Sequence, residues 1–212
     1  MGFFMLYKAL FILVLCFSSE GFAQKILLKE FDAQEIEKLI VNADRVFSVK
    51  IATEETQKIF VTAKVQGENF ESVMVSASEE NGSLKIEMGY TPFYKAINDK
   101  LAAHKVISVD LEIRLPKNMF VSITSDIASI AAQGDYQFLY IGLENGNCDV
   151  KNFRGDGSLQ TKQGNISVYA KDNVAGSAFS KTGQVLNDLP AQGKYYIKAE
   201  SIGGIIKLLQ TN

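Results

Sequence analysis

The chain has 212 residues, with 22 Lys and Arg, 24 Asp and Glu and one His, which give a formal net charge of −2 at pH 7. This length suits one domain with a sizeable core, or two small domains. The near balance of charge, with basic residues scattered along the chain, argues against binding to nucleic acid or to an anionic membrane surface.

Residues 1–23 have the order of a secretory signal. Lys8 precedes an apolar run over residues 9–17, and small residues then lead up to a cleavage site after Ala23. The run is shorter than the roughly 20 residues that a membrane-spanning helix needs. We therefore predict export, cleavage after Ala23, and a single mature domain over residues 24–212 with no transmembrane segment.

The two cysteines have different predicted fates. Lipidation at Cys16 is disfavoured because Leu15 stands where a bacterial lipoprotein site usually has a small residue. Cys16 would leave with the signal, so the mature protein would hold Cys148 alone and could not form an internal disulfide. Cys148 occupies an apolar position of the repeat described below, which indicates a buried small hydrophobe rather than a reactive thiol.

From residue 46 onward the sequence predicts strand after strand. Five segments alternate apolar with polar residues, as strands with one buried face do. They are VFSVKI (46–51), KIFVTAKV (58–65), SVMVSA (72–77), SLKIEM (83–88) and VDLEIRLP (109–116). Turn signals such as Asn81-Gly82 separate them. DAQEIEKLI (32–40) has helical spacing, but it is short enough to be the lead-in to a strand.

The C-terminal half contains a repeat of about 20 residues. Four glycines recur at steps of 18, 19 and 20 residues: Gly146, Gly164, Gly183 and Gly203. A polar amide or glycine follows each of them: Asn147, Asn165, Gln184 and Gly204. An apolar or small residue comes next: Cys148, Ile166, Val185 and Ile205. Two turns and at least two short strands per repeat describe one coil of a β-solenoid, with the regular part over about 124 to 208.

Stacking of coils explains why these residue types return. A residue kept in register forms a column through the stack, so glycines are predicted to form the corners and amides to hydrogen-bond along them. The predicted structural turns are Gly146, Asn147, Gly164, Asn165, Gly183 and Gly203, and the apolar residues after them would form one inward column. A set of antiparallel hairpins with evenly spaced turns is the alternative.

Several stretches resemble one known family. FDAQEIEKLIVNADRVFSVKI (31–51), EIRLPKNMFVSI (112–123), GNCDV (146–150) and GNISV (164–168) resemble the adhesin-like proteins of the DUF4097/GIN-domain group, common in Bacteroidetes envelopes. The resemblance implies an all-β fold, a right-handed, single-stranded parallel β-helix (β-solenoid) with irregular N-terminal coils, exported to the periplasm or cell surface. It implies no catalytic residue. The chain departs from the family pattern after Leu186, where the alternation is lost.

A β-helical carbohydrate-active enzyme, either a polysaccharide lyase or a hydrolase, is the alternative function. Such chemistry needs acids a few ångströms apart, or acids with basic residues and calcium, on one strand face. The aspartates of the repeat fall singly or at turns: Asp126, Asp135, Asp149 and Asp156. The sole histidine, His104, has no nucleophile in a recognisable arrangement. We therefore predict no catalytic, metal-binding or cofactor-binding residues.

The segment GYTPFYKAINDKLAAHK (89–105) interrupts the run of clean strands. Tyr90, Phe93 and Tyr94 crowd around Pro92, and aromatic side chains on loops commonly contact sugars or partner proteins. The same rings would also serve to cover an open end or side of the solenoid. We treat these three residues as candidate ligand contacts.

The function that the sequence favours is a non-catalytic, adhesin-like binding or structural role in the cell envelope. The expected partner is a cell-surface glycan or an envelope protein. An exposed strip of aromatic side chains would favour binding, an exposed cluster of carboxylates would favour an enzyme, and neither would favour a structural role.

Overall fold

The computed structural model describes residues 24–67, 70–91 and 108–211, which form fifteen strands and one 3-10 turn, Phe70–Ser72. The strands are β1 Gln24–Asp32, β2 Lys38–Asn42, β3 Ser48–Glu54, β4 Lys58–Gln66, β5 Val73–Glu80, β6 Ser83–Tyr90, β7 Ser108–Pro116, β8 Phe120–Ser125, β9 Ser129–Asn145, β10 Cys148–Gln163, β11 Ile166–Ala170, β12 Val174–Ser180, β13 Val185–Asn187, β14 Tyr195–Ser201 and β15 Ile206–Gln210. The predicted signal, at residues 1–23, lies outside the described residues. None of the helical structure in the described ranges is long and apolar enough to span a membrane.

All fifteen strands belong to one mixed sheet. Its longest path runs β1-β4-β7-β3-β9-β10-β11-β15-β13, and further strands branch from it. β9 and β10 each pair with different neighbours along their two halves. The first half of β9 pairs with β3 and its second half with β8, while the first half of β10 pairs with β11 and its second half with β14. The sheet therefore wraps nearly closed around one apolar core.

The predicted all-β class is confirmed, but the predicted right-handed parallel β-helix is wrong. β1 with β4, β4 with β7 and β5 with β6 are antiparallel pairs, which a parallel β-helix does not contain. The strand order also departs from chain order, since β14 lies between β10 and β12, and β15 lies between β11 and β13. Evenly spaced turns show only how often the chain changes direction. Which strands become neighbours depends on pairing between distant segments of the chain.

The predicted inward column is also out of register at its end. Cys148 pairs with Ile166, and Ile166 pairs with Ile206 rather than with Ile205. Val185 pairs with Ile206 but is 43% exposed, as the other two residues of β13 are also exposed. Ile206 itself is fully buried, while Ile205 is 41% exposed. Because side chains alternate along a strand, a slip of one residue exchanges the buried face for the exposed one.

Glycines stack closely at one corner of the sheet. A Cβ on Gly164 would stand 1.9 Å from the carbonyl oxygen of Gly146, and a Cβ on Gly204 would stand 1.5 Å from that of Gly164. A Cβ on Gly183 would stand 2.0 Å from the carbonyl oxygen of Gly204. Gly203 lies outside this stack, since the atom nearest to its Cβ would be the side-chain oxygen Oε1 of Gln163.

The asparagines after these glycines bond along the same corner. Asn147 Oδ1 accepts a hydrogen bond of 2.9 Å from the backbone N–H of Asn165. Asn165 Oδ1 in turn accepts one of 2.9 Å from the backbone N–H of Ile205. The amides thus satisfy backbone donors that the turn removes from the strand ladder.

Buried and half-buried hydroxyls form a second column that the sequence reasoning missed. Thr161, Ser180 and Ser201 each stand three residues before a stacked glycine, and each donates to a carbonyl of the neighbouring turn. The hydroxyls of Ser180 and Ser201 also accept the N–H three residues later. The sequence carried this signal at two of the repeating glycines, since Thr161 and Ser180 stand three residues ahead of Gly164 and Gly183.

Candidate ligand-binding groove

One row of matched positions crosses four neighbouring strands on the outer face of the sheet. In the order β9, β10, β14, β12, the parallel register aligns Gly142 with Gln160, Gln160 with Glu200, and Glu200 with Phe179. Strands in a sheet lie about 4.8 Å apart, so this row extends over three spacings, or about 14 Å. We call Tyr140, Gly142, Gln160, Glu200 and Phe179 the groove row.

Tyr140 joins the row by leaning over Gly142. The two residues share a face because they are two positions apart on β9. A Cβ on Gly142 would stand 2.8 Å from the phenolic oxygen of Tyr140 and 3.2 Å from two of its ring carbons. Because residue 142 has no side chain, the Tyr140 ring can lie over it.

Phe179 ends the row on β12. Its side chain is 63% exposed. A single exposed ring needs no functional explanation. Phe179 shares one depression with the ring of Tyr140, and the two polar residues Gln160 and Glu200 lie between them. This combination of apolar and polar groups is typical of a binding site.

The middle of the row is polar. Gln160 Nε2 lies 3.5 Å from Glu200 Oε2, at the outer limit of a hydrogen bond. Glu200 also forms an ion pair of 2.7 Å with Lys198, on the same strand. The amide and the carboxylate thus keep hydrogen-bonding capacity toward the solvent side of the groove.

The depression around the row has a volume of about 570 Å³. Among the described residues, four carboxylates and two ammonium groups line it, a balance of −2: Asp44, Asp126, Glu144, Glu200, Lys162 and Lys181. Lys162 and Glu144 form an ion pair of 2.5 Å. The groove is therefore mildly acidic, with two aromatic rings among its lining residues.

More aromatic side chains lie on the same face, two rows of aligned positions away. Phe120 pairs with Phe138, and their rings stack with centroids 5.1 Å apart. The ammonium group of Lys38 lies 4.8 Å from the centroid of the Phe120 ring. Tyr196, on β14, is 47% exposed. The exposed rings on this face are those of Phe179 and Tyr196, while Phe120, Phe138 and Tyr140 are half-buried. The aromatic strip expected of a binding protein is thus present in part.

The aromatic contacts predicted from the sequence lie elsewhere or cannot be placed. Tyr90 ends β6, is 41% exposed and has the guanidinium of Arg45 at 5.1 Å from its ring centroid. Tyr90 is not among the residues that line the groove. Phe93 and Tyr94 lie outside the described residues, so their role as ligand contacts stays a prediction.

The four aspartates proposed for an enzyme do not converge. Asp126 lines the groove, and Asp149 forms an exposed ion pair of 3.1 Å with Lys151. Asp156 Oδ1 accepts a hydrogen bond of 2.8 Å from the backbone N–H of Tyr196. Asp135 is buried at a separate place in the fold.

Asp135 has a structural environment. Its carboxylate, 4% exposed, accepts hydrogen bonds from Arg154 and from Lys171, the latter at 2.7 Å. Burial alone raises the pKa of Asp135, but the hydrogen bonds and charges of Lys171 and Arg154 outweigh it and hold the pKa below its ordinary value. Asp135 is thus a charged anchor between strands.

Neither a nucleophile nor a metal cluster stands out in residues 24–67, 70–91 and 108–211. The Cys148 thiol is fully buried, and burial raises its pKa well above the ordinary value, which keeps it protonated. No three metal-ligating side chains converge within those ranges. His104 lies outside them.

Comparison with known proteins supports the fold. The chain is similar to a crystal structure described as a "putative cell adhesion protein" from Clostridium sporogenes, with 16% identity and a TM-score of 0.62 over 88% of this chain and 99% of that one. Structures described as a "putative adhesin" from Bacteroides fragilis and from Parabacteroides distasonis overlap less, with 11% and 12% identity and TM-scores of 0.35 and 0.34, each over 87% of this chain and 97% of theirs. At such identities the likeness concerns the fold alone.

No protein-family model and no curated protein matches the chain. The resemblance to the DUF4097/GIN-domain group therefore rests on the sequence motifs alone.

The sequence reasoning missed every residue of the groove row. Tyr140 and Phe179 occupy outward positions of alternating strands, which was a signal for exposed rings. The sequence did not indicate that these two rings align across the sheet. The reason is that β14, which lies between β10 and β12, follows both of them in the chain. Only the three-dimensional pairing brings Glu200 between Gln160 and Phe179.

Proposed function

We propose that the protein is an exported, non-catalytic, adhesin-like binding protein of the cell envelope, similar to the DUF4097/GIN-domain group, and that the groove row is its binding surface. The observation that carries this proposal is the line of Tyr140, Gln160, Glu200 and Phe179 across four strands. Rings at both ends offer apolar area, and the amide and carboxylate between them offer hydrogen bonds that fix orientation.

The rigidity of the surface supports a binding role. Gln160 and Glu200 stand on strands that are paired on both sides, so the row needs little ordering when a partner arrives. A structural role alone would not require two rings and two polar groups to line one depression.

Attachment to envelope material tests the proposal. The protein should bind immobilised cell-wall preparations, and Phe179→Ala combined with Gln160→Ala should weaken that attachment by at least about tenfold without changing the melting temperature. Phe47→Ala is the matched control, because Phe47 is 66% exposed and does not line the groove. Attachment that is equally strong in the double variant would refute the groove as the binding surface.

An enzyme acting on polysaccharides is the second candidate, because Asp126, Glu144 and Glu200 line the same depression. Hydrolysis or elimination would release reducing ends or unsaturated products from cell-wall polysaccharide. We expect no release by the purified protein. Release that Glu200→Gln abolishes would replace the binding role with a catalytic one.

Export belongs to the same proposal. We infer that residues 1–23 are removed after Ala23 and that Cys16 carries no lipid, which leaves the mature chain in the periplasm or at the cell surface. Intact-mass measurement of the exported protein should give a chain that begins at Gln24. A diacylglyceryl adduct on Cys16 would mean a lipid-anchored protein instead.

A further inference from the structure

We propose that the groove row binds a neutral oligosaccharide that lies across the strands, with pyranose rings stacked on Tyr140 and Phe179. This inference rests on the proposed binding function and names the chemical class of the ligand. It follows from the spacing, the charge and the position of the row in the sheet.

The chemical alternation of the row fits a sugar chain. A pyranose has an apolar face of C–H groups and a rim of hydroxyl groups that both donate and accept hydrogen bonds. Tyr140 and Phe179 offer flat apolar surfaces, and Gln160 and Glu200 offer a donor and acceptors between them. The groove thus presents ring, polar, polar, ring in an order that successive sugar units can match.

The length of the row favours a chain over a single sugar. Tyr140 leans over Gly142, and three strand spacings of about 4.8 Å separate residue 142 from Phe179. One pyranose cannot touch both rings across about 14 Å. A short oligosaccharide can, and its inner units then lie over Gln160 and Glu200.

The position of the row disfavours a peptide ligand. Extended peptides usually bind by adding a strand to a free sheet edge. The row instead crosses the strands, and its central members lie on β10 and β14, which pair on both sides with other strands. The backbone groups there are already used, so recognition must come from side chains.

The charge of the lining disfavours acidic glycans. Its four carboxylates outnumber its two ammonium groups. The balance stays negative when Lys198, which pairs with Glu200 from outside the lining, is counted as well. A polyuronate would meet net repulsion, whereas a neutral chain would not.

Titration calorimetry with defined sugars tests the proposal. The probes are neutral glucans, mannans, xylans and chitin fragments, each from monosaccharide to hexasaccharide, with oligogalacturonides as the acidic comparison. We expect at least one neutral series to bind, with affinity that rises by about tenfold or more from monosaccharide to tetrasaccharide and then levels off. Tyr140→Ala and Phe179→Ala should each weaken it by about tenfold, and Phe47→Ala should leave it unchanged.

The outcomes separate this inference from the proposed function. If envelope attachment depends on the groove but no neutral sugar binds or competes, the ligand class is wrong and the binding function stands. Tighter binding of oligogalacturonides than of any neutral series would likewise overturn the ligand class. Neutral sugar binding that survives both aromatic substitutions would place the site elsewhere on the protein. Attachment that is insensitive to groove variants would refute the proposed function itself.

Discussion

The phenolic oxygen of Tyr140 lies 2.8 Å from the point where a Cβ on Gly142 would stand. Gly142→Ala should therefore push the ring out of the groove row. The clash is with the far end of a flexible side chain, so the fold should tolerate it. We expect affinity for the ligand to fall several-fold while the melting temperature stays constant or rises slightly, because alanine lowers the entropy of the unfolded chain.

Gly89→Ala is the matched control for this substitution. Gly89 lies within strand β6, and a Cβ there would meet no atom within 4 Å. The control should show the same small effect on the melting temperature with no loss of affinity. Equal binding by Gly142→Ala and Gly89→Ala would show that the position of the Tyr140 ring does not matter.

The two adjacent glycines at residues 203 and 204 should respond very differently to alanine. A Cβ on Gly204 would stand 1.5 Å from the backbone carbonyl oxygen of Gly164, so the backbone would have to move. We expect Gly204→Ala to lower the free energy of unfolding by about 3 kcal/mol or more. Gly203→Ala meets only the mobile end of Gln163 and should cost less than about 1 kcal/mol. Denaturant unfolding measures both, and equal costs would contradict the corner stack.

The register of β15 can be tested at two neighbouring isoleucines. Ile206→Asp would bury an unpaired carboxylate at a fully buried position and should cost several kcal/mol, enough to unfold a domain of ordinary stability. Ile205→Asp places the charge at a position that is 41% exposed, so its melting temperature should stay close to that of the parent. If Ile205→Asp destabilised the protein more than Ile206→Asp, β15 would pair one residue out of the described register.

Asp135 should give the protein an acid-sensitive stability. Its folded pKa is lowered by Lys171 and Arg154, so its contribution is present above the unfolded value near 3.8 and is lost as the pH falls through the folded pKa. Asp135→Asn should cost about 2 kcal/mol at neutral pH, the scale of hydrogen bonds to charged groups. The cost should shrink as the pH falls below about 4, because the Asp135 carboxyl is then protonated in the unfolded chain and, below its folded pKa, in the folded protein as well.

Asp149→Asn is the comparison for that measurement. Asp149 is paired with Lys151 on the surface, with both side chains well exposed, and such pairs contribute at most about 1 kcal/mol. Unfolding curves across pH 2 to 8 compare the two variants with the parent. A pH dependence of Asp135→Asn identical to that of the parent would show that the Asp135 carboxylate is not responsible.

Much of the local structure was predictable from the sequence. The alternation over residues 109–116 correctly marked Val109, Leu111, Ile113 and Leu115 as one buried face of β7. The glycine and asparagine pairs of the repeat marked a place where the chain turns and where amides bond along the corner. These features depend on the alternation of side chains along a strand and on local backbone geometry. Both are determined by a few consecutive residues.

The order of the strands, and with it the groove, depends on the tertiary structure alone. Any strand with one apolar face can pair with any other, so alternation does not reveal that β14 inserts between β10 and β12. The same pairing between distant strands leaves Ile205 exposed and places Glu200 beside Phe179. The sequence by itself thus determined which residues face inward on most strands. Pairing between distant segments, which no local pattern encodes, decided which outward residues meet to form the candidate site.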